Sequence, residues 1–202
     1  MTHAHRRLAA GLAAALALSA VAGTAQAHTF GAHDAGLAHG FMHPLGGLDH
    51  LLAMVTVGLW AVQRGGRALW LMPATFVGAM ALGGYLGLDG IGLPAVELGI
   101  AASLMALGSA VAFAVRPPLA LGMAVVGAFA VFHGHAHGAE VPEAASPLLY
   151  AAGFLAATVL LHAAGIALAA AATARPLWAG LGAKAVRLAG AGVAATGLLL
   201  VA

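Results

Sequence analysis

Apolar stretches of membrane-spanning length follow one another along almost the whole chain, and no soluble fold accommodates that pattern. A helix that crosses a bilayer needs about 20 predominantly apolar residues. Glycine, proline and scattered charges divide the chain after residue 27 into six such stretches, over residues 44–62, 68–88, 93–115, 118–137, 147–172 and 180–201. The composition agrees: only 7% of residues are charged, against about 25% in ordinary soluble domains. The expected fold class is an all-α integral membrane protein, a six-helix transmembrane bundle over residues 28–202 with short linkers.

The first 27 residues read as a secretory signal peptide. Arg6 and Arg7 supply the positive region, LAAGLAAALALSAVAG the apolar core and Ala25-Gln26-Ala27 a small-residue cleavage site. The alternative is an uncleaved first helix, and either way residue 28 emerges outside. Six basic residues then remain, Arg64, Arg67, Arg116, Arg175, Lys184 and Arg187, against six acids, Asp34, Asp49, Asp89, Glu97, Glu140 and Glu143. Formal neutrality gives no reason to expect a nucleic-acid partner. With residue 28 outside, every one of those basic residues falls at the cytoplasmic face, as short loops require. The expected location is the bacterial inner membrane, with the lipid bilayer as the surrounding partner.

Two histidine motifs interrupt this apolar background. HPLGGLDH, His43 to His50, opens the first span. With Pro44 read as the first helical residue, His43 and His50 lie two turns apart on one face, and Met54 follows one turn further in. Gly46 and Gly47 leave room for another helix to approach. An ionised Asp49 within a span costs about 2.5–3.5 kcal/mol, so it requires a partner, either a histidine N–H or a metal ion. FHGHAHGAE, Phe132 to Glu140, closes the fourth span, and its spacing puts His133, His137 and Glu140 on one face while His135 points elsewhere. Both motifs fall at the outer surface, where they can meet. Deeper in the bundle, His162 is a candidate next step on an inward path with Met54, although a hydrogen bond to a carbonyl explains the histidine equally and simple packing explains the methionine better. Glu97 either pairs with a cluster histidine or lies at the interface. His28, His33 and His39 form a sparse histidine segment ahead of the first motif.

The chain contains no cysteine, so thiolate metal sites and cysteine nucleophiles are excluded. Imidazole and carboxylate ligands permit nickel, cobalt, copper, zinc or iron without selecting among them. There is no GxxxxGK[ST] motif for nucleotide and no HExxH for a zinc hydrolase. Gly108-Ser109-Ala110 lacks the glycine of a GxSG serine site. An intramembrane metalloenzyme with a multi-histidine centre and a membrane scaffold for metallocentre assembly factors are the alternatives to transport.

At HPLGGLDHLLAMVTVG and FHGHAHGAE the chain resembles the HupE/UreJ family of hydrogenase and urease accessory membrane proteins, regarded as nickel permeases. The likeness extends over the leader and all six following spans. The five residues between His43 and Asp49-His50 separate it from the other large nickel and cobalt permease family, which has four there. The resemblance implies a permease, not an enzyme, that carries Ni2+ or Co2+ as substrate from periplasm to cytoplasm for metalloenzyme maturation, with no prosthetic group and with metallocentre maturation proteins as candidate partners. It also implies that transport depends on His43, Asp49 and His50, supported by His133, His137 and Glu140. Histidine binds metal only when neutral. Uptake of the ion, measured in cells, should therefore weaken between about pH 7.5 and about pH 5.5, across the imidazole pKa of about 6.5; constant uptake by folded protein over that range would exclude histidine ligation.

Overall fold

The computed structural model describes residues 32–143, 145–174 and 179–201. The expected leader, its cleavage point, His28 and Arg175 lie outside the described residues. Among these, the chain forms seven helices and no strand: α1 (Ala32–Gly46), α2 (Leu48–Arg64), α3 (Ala68–Leu88), α4 (Val96–Ala112), α5 (Leu119–Ala139), α6 (Pro147–Thr173) and α7 (Ala179–Leu199). Local chemistry sets several of their ends. Gly65, at φ +70°, turns the chain out of α2 while its N–H closes onto the Ala61 carbonyl. Pro118 precedes α5, and Pro147 occupies the first turn of α6, where a missing N–H leaves no bond unmade.

Three helices, α3, α5 and α6, are long and apolar enough to cross a membrane, and the bent pair α1–α2 makes a fourth if taken as one broken span. α3, α5 and α6 are apolar on every face over most of their length, which suits a lipid surrounding: Trp70, Leu148 and Leu160 are large side chains on the outer surface. Two expected spans are less complete. α4 has 17 residues, about 25 Å at 1.5 Å per residue, because left-handed Ala95 and Ala114 bound it inside both expected ends. α7 is diluted by glycine and alanine and carries exposed Lys184 and Arg187.

The start of the first span departs from expectation. Pro44 does not begin that helix; it lies in the last turn of α1, and α2 begins only at Leu48. The two helices meet at 81°, with Gly47 in an extended conformation between them. Two successive glycines, with the largest backbone entropy to lose in a helix, make this the weakest point of the run. Their role is also different from a packing surface. Nothing lies within 4 Å of where a Gly46 side chain would begin, and a Cβ on Gly47 would crowd only Asp49 and His50 of its own segment. The segment ahead of the first motif is likewise helical from Ala32 rather than an open tail.

Close backbone approaches hold the bundle. α3 and α5 run side by side, with Gly134 facing the carbonyl of Met80 so tightly that a Cβ would overlap it. α2 packs on α6 in the same way, through Gly58 and Gly165. At the end of the bundle where α2 finishes, Gln63 donates to the Val111 carbonyl at 3.1 Å and Arg187 to Ala112 at 2.7 Å at the end of α4, and Trp60 donates to the Val115 carbonyl just beyond it at 2.9 Å. Gly134→Ala should destabilise the protein by about 1–3 kcal/mol through overpacking, while Gly78→Ala, where a Cβ meets nothing within 4 Å, should be neutral or stabilising. Unfolding of the two variants in detergent tests this.

Candidate metal centre

The start of α2 and the end of α5 lie at one end of the bundle, and the break between α1 and α2 turns the end of α1 toward them. Four imidazoles meet there. The ring centroids of His50 and His137 are 4.5 Å apart, those of His50 and His133 4.7 Å, those of His43 and His137 4.7 Å, and those of His43 and His50 6.4 Å. The two sequence motifs therefore converge. His43 and His50 do so from two helices at a steep angle, not along one helix face as their spacing suggested.

Each of three rings has one nitrogen held by an oxygen. Asp49 Oδ1 accepts the His50 backbone N–H at 2.7 Å and stands 2.9 Å from its Nδ1. A carboxylate only accepts, so Nδ1 carries the proton and Nε2 the lone pair; that Nε2 is buried with no partner. Ser103 gives its hydroxyl proton to the Ile100 carbonyl at 2.6 Å, and the same oxygen lies 2.8 Å from His133 Nε2. With its proton already given away, Ser103 accepts from Nε2–H and leaves His133 Nδ1 as a buried free lone pair. His43 Nε2 is 2.9 Å from Glu140 Oε2, which by the same logic leaves Nδ1 as the acceptor. An oxygen on one ring nitrogen, with the other free, is the arrangement that orients imidazoles in metal sites.

His137 differs, because both its ring nitrogens are buried without a partner. It is held by shape, stacked on Phe154 at 5.0 Å and 16°. A cavity of about 590 Å3 opens at this end and is lined by His43, Asp49, His50 and Glu140, with Glu97 and His39 on its wall. Among the described residues, no three His, Asp or Glu side chains are gathered tightly enough to hold an ion as they stand. The rings pack against one another instead, edge to face in three pairs and tilted at 58° between His50 and His137.

All six residues of the two motifs are thus neighbours. Met54 is wholly buried one turn below His50, and His162 lies deeper, edge-on to Phe76 at 5.0 Å, with both ring nitrogens unpartnered. His135 turns away, its Nε2 2.8 Å from the Ile91 carbonyl. Sequence reasoning missed four contributors: Ser103; Tyr150, edge-on to His43 at 5.9 Å; Phe154; and Phe76, which also touches His133 at 5.8 Å. Two signals were available. Ser103 is one of two serines in an apolar run, and Tyr150 and Phe154 occupy the same face as His162 at four-residue steps.

Three buried imidazoles and a half-buried fourth, packed against one another at one end of an all-helical bundle with membrane-length helices, define the class as a membrane protein with a cluster of ionisable side chains inside its bundle. Comparison with known proteins is specific. The family model described as HupE / UreJ protein matches residues 16–200. Protein HupE of Rhizobium leguminosarum bv. viciae is 52% identical over 156 residues, 77% of this chain and 80% of that protein. The chain belongs to the HupE / UreJ family. No solved structure matches it.

Ser103→Ala strands the His133 N–H in a dry interior and should cost about 1–3 kcal/mol of stability. If His133 is a metal ligand, the same change should also weaken divalent-metal binding to the purified protein about tenfold or more, the scale for losing a ligand's hydrogen-bond partner. Equilibrium dialysis and thermal unfolding check the two effects, with Ser109→Ala as the neutral comparison.

Proposed function

We propose that this protein is a permease that carries a divalent transition metal, nickel or cobalt, across the bacterial inner membrane from periplasm to cytoplasm for hydrogenase or urease maturation. One observation carries the reading: His50 Nε2, His133 Nδ1 and both nitrogens of His137 are buried without partners in a single cluster. Leaving donors or acceptors unpaired in a protein interior costs about 1–3 kcal/mol each. Their concentration at one point is explained if a cation binds there and takes up the lone pairs.

Asp49 and Glu140 give the cavity a negative character that attracts a hydrated cation. The imidazoles then rotate onto it and replace its water. Nitrogen and carboxylate ligands without thiolate suit nickel and cobalt. A family named for hydrogenase and urease accessory proteins fits the same metal, and cytoplasmic maturation proteins are the natural recipients.

The six-span arrangement counts α1–α2 as one broken span and α3 to α7 as the rest, preceded by a cleaved leader over residues 1–27. Charge supports its direction. Arg64 ends α2 and Arg116 precedes α5, so both sit at the bundle end away from the histidines, and Arg187 reaches the carbonyl of Ala112 at the end of α4. By the positive-inside rule that end is cytoplasmic and the histidine cavity periplasmic. Entry of a doubly charged ion is then downhill by about 4.6 kcal/mol per 100 mV of membrane potential.

The test is whole-cell metal content by mass spectrometry, in a host without its own nickel uptake that is offered nickel, cobalt, copper, zinc and iron together. The intact protein should accumulate nickel or cobalt, and His50→Ala at matched expression should fall to background. Cells with the intact protein that hold no more metal than cells without it would defeat the reading.

A further inference from the structure

Directly inward of the histidine cluster, three helices bring together side chains that the proposed mouth does not use. Thr158 of α6 is fully buried and donates its hydroxyl proton to the Phe154 carbonyl at 2.8 Å. The same oxygen lies 3.4 Å from Met54 Sδ of α2 and 3.4 Å from Met80 Sδ of α3. One hydroxyl has one proton, and the carbonyl is the better acceptor for it. Both sulfurs therefore keep their lone pairs beside one oxygen.

One turn further along α6, His162 is only 2% exposed, and neither ring nitrogen has a partner. Phe76, one turn from Met80 on α3, stands between His133 and His162, in contact with both rings. Gly58, one turn from Met54 on α2, lets the α6 backbone approach at His162. The three helices thus continue in step, each advancing by four residues, from the histidine level to a sulfur level and then to an imidazole level.

We propose that Met54 Sδ, Met80 Sδ, the Thr158 hydroxyl and the His162 imidazole form a second ion station, which takes a late first-row divalent cation after the mouth has stripped its water. This rests on the permease reading above. Packing alone calls for apolar volume at Met54 and Met80, which leucine supplies, and does not account for a buried histidine with two free nitrogens one helical turn beyond Thr158. Thioether and imidazole together hold late, softer ions and reject calcium and magnesium, so the station also filters what the carboxylate-bearing mouth admits.

Nickel K-edge X-ray absorption on the full-length, untagged protein in nanodiscs at saturating NiCl2 gives a direct readout. The chain has no cysteine, so a sulfur neighbour of nickel must be methionine. The wild type should show sulfur scattering and bind a second equivalent of Ni2+. The Met54→Leu/Met80→Leu double variant, nearly volume-conserving, should lose both while retaining the first equivalent, which also certifies its fold. Its nickel uptake should fall about tenfold or more. His162→Gln should likewise lose the second equivalent. Wild-type uptake by the double variant, or no sulfur scattering in the wild type, with uptake still abolished by His50→Ala, would overturn the station and leave the mouth standing. Wild-type uptake in His50→Ala would overturn the mouth, and the station with it.

Discussion

A buried imidazole has one proton to give and one lone pair to fill, and an apolar bundle offers few groups that can do either. In this protein the proton side is settled for His43, His50 and His133 and the lone-pair side of His50 and His133 is left open, while His137 has a partner on neither nitrogen. Asp49, Ser103 and Glu140, from α2, α4 and the end of α5, each take one histidine N–H. The opposite nitrogens of His50 and His133 face the cluster with nothing to bind. Exchanging either ring's tautomer would put a proton where the lone pair is needed. The hydrogen bonds therefore determine what the site presents to an incoming cation, and the fold places three separate elements to make them.

The break at Gly47 follows from the same need. A continuous helix from residue 43 to residue 64 would carry His43 outward along the α2 axis. The 81° bend instead folds the end of α1 over the cavity, so that His43 meets both Glu140 and His137. Below that lid the interior is built by repetition. Tyr150, Phe154, Thr158 and His162 descend α6 at intervals of four residues, matched by His50, Met54 and Gly58 on α2 and by Gly84, Met80 and Phe76 on α3. Glycines such as Gly58 and Gly134 let the backbones close around this column.

Much of the site was legible because its residues are chemically out of place. His43, Asp49, His50, His133, His137 and Glu140 stand out in a chain with few charges, and helical spacing alone puts the last three on one face. The path of the chain through Pro44-Leu45-Gly46-Gly47 was not legible in the same way. Proline suits both the first turn of a helix and, less well, the last turn of another, and only packing against α6 decides between them. Ser103 and Phe154 act through His133 and His137, which lie on other helices, and no local period reveals that. Apolar runs located the helices well, with the largest errors at the start of the first span, which begins at Leu48, and at the third span, which left-handed Ala95 and Ala114 shorten at both ends.

The central claim is that one cation is bound by imidazoles from both motifs at once. Anomalous diffraction at the nickel edge, from crystals of the protein grown with Ni2+, tests it directly. The account predicts a peak enclosed by His43, His50, His133 and His137, at about 2 Å from at least one ring nitrogen of each motif. A peak held by one motif alone, or nickel bound only outside the bundle, would contradict it.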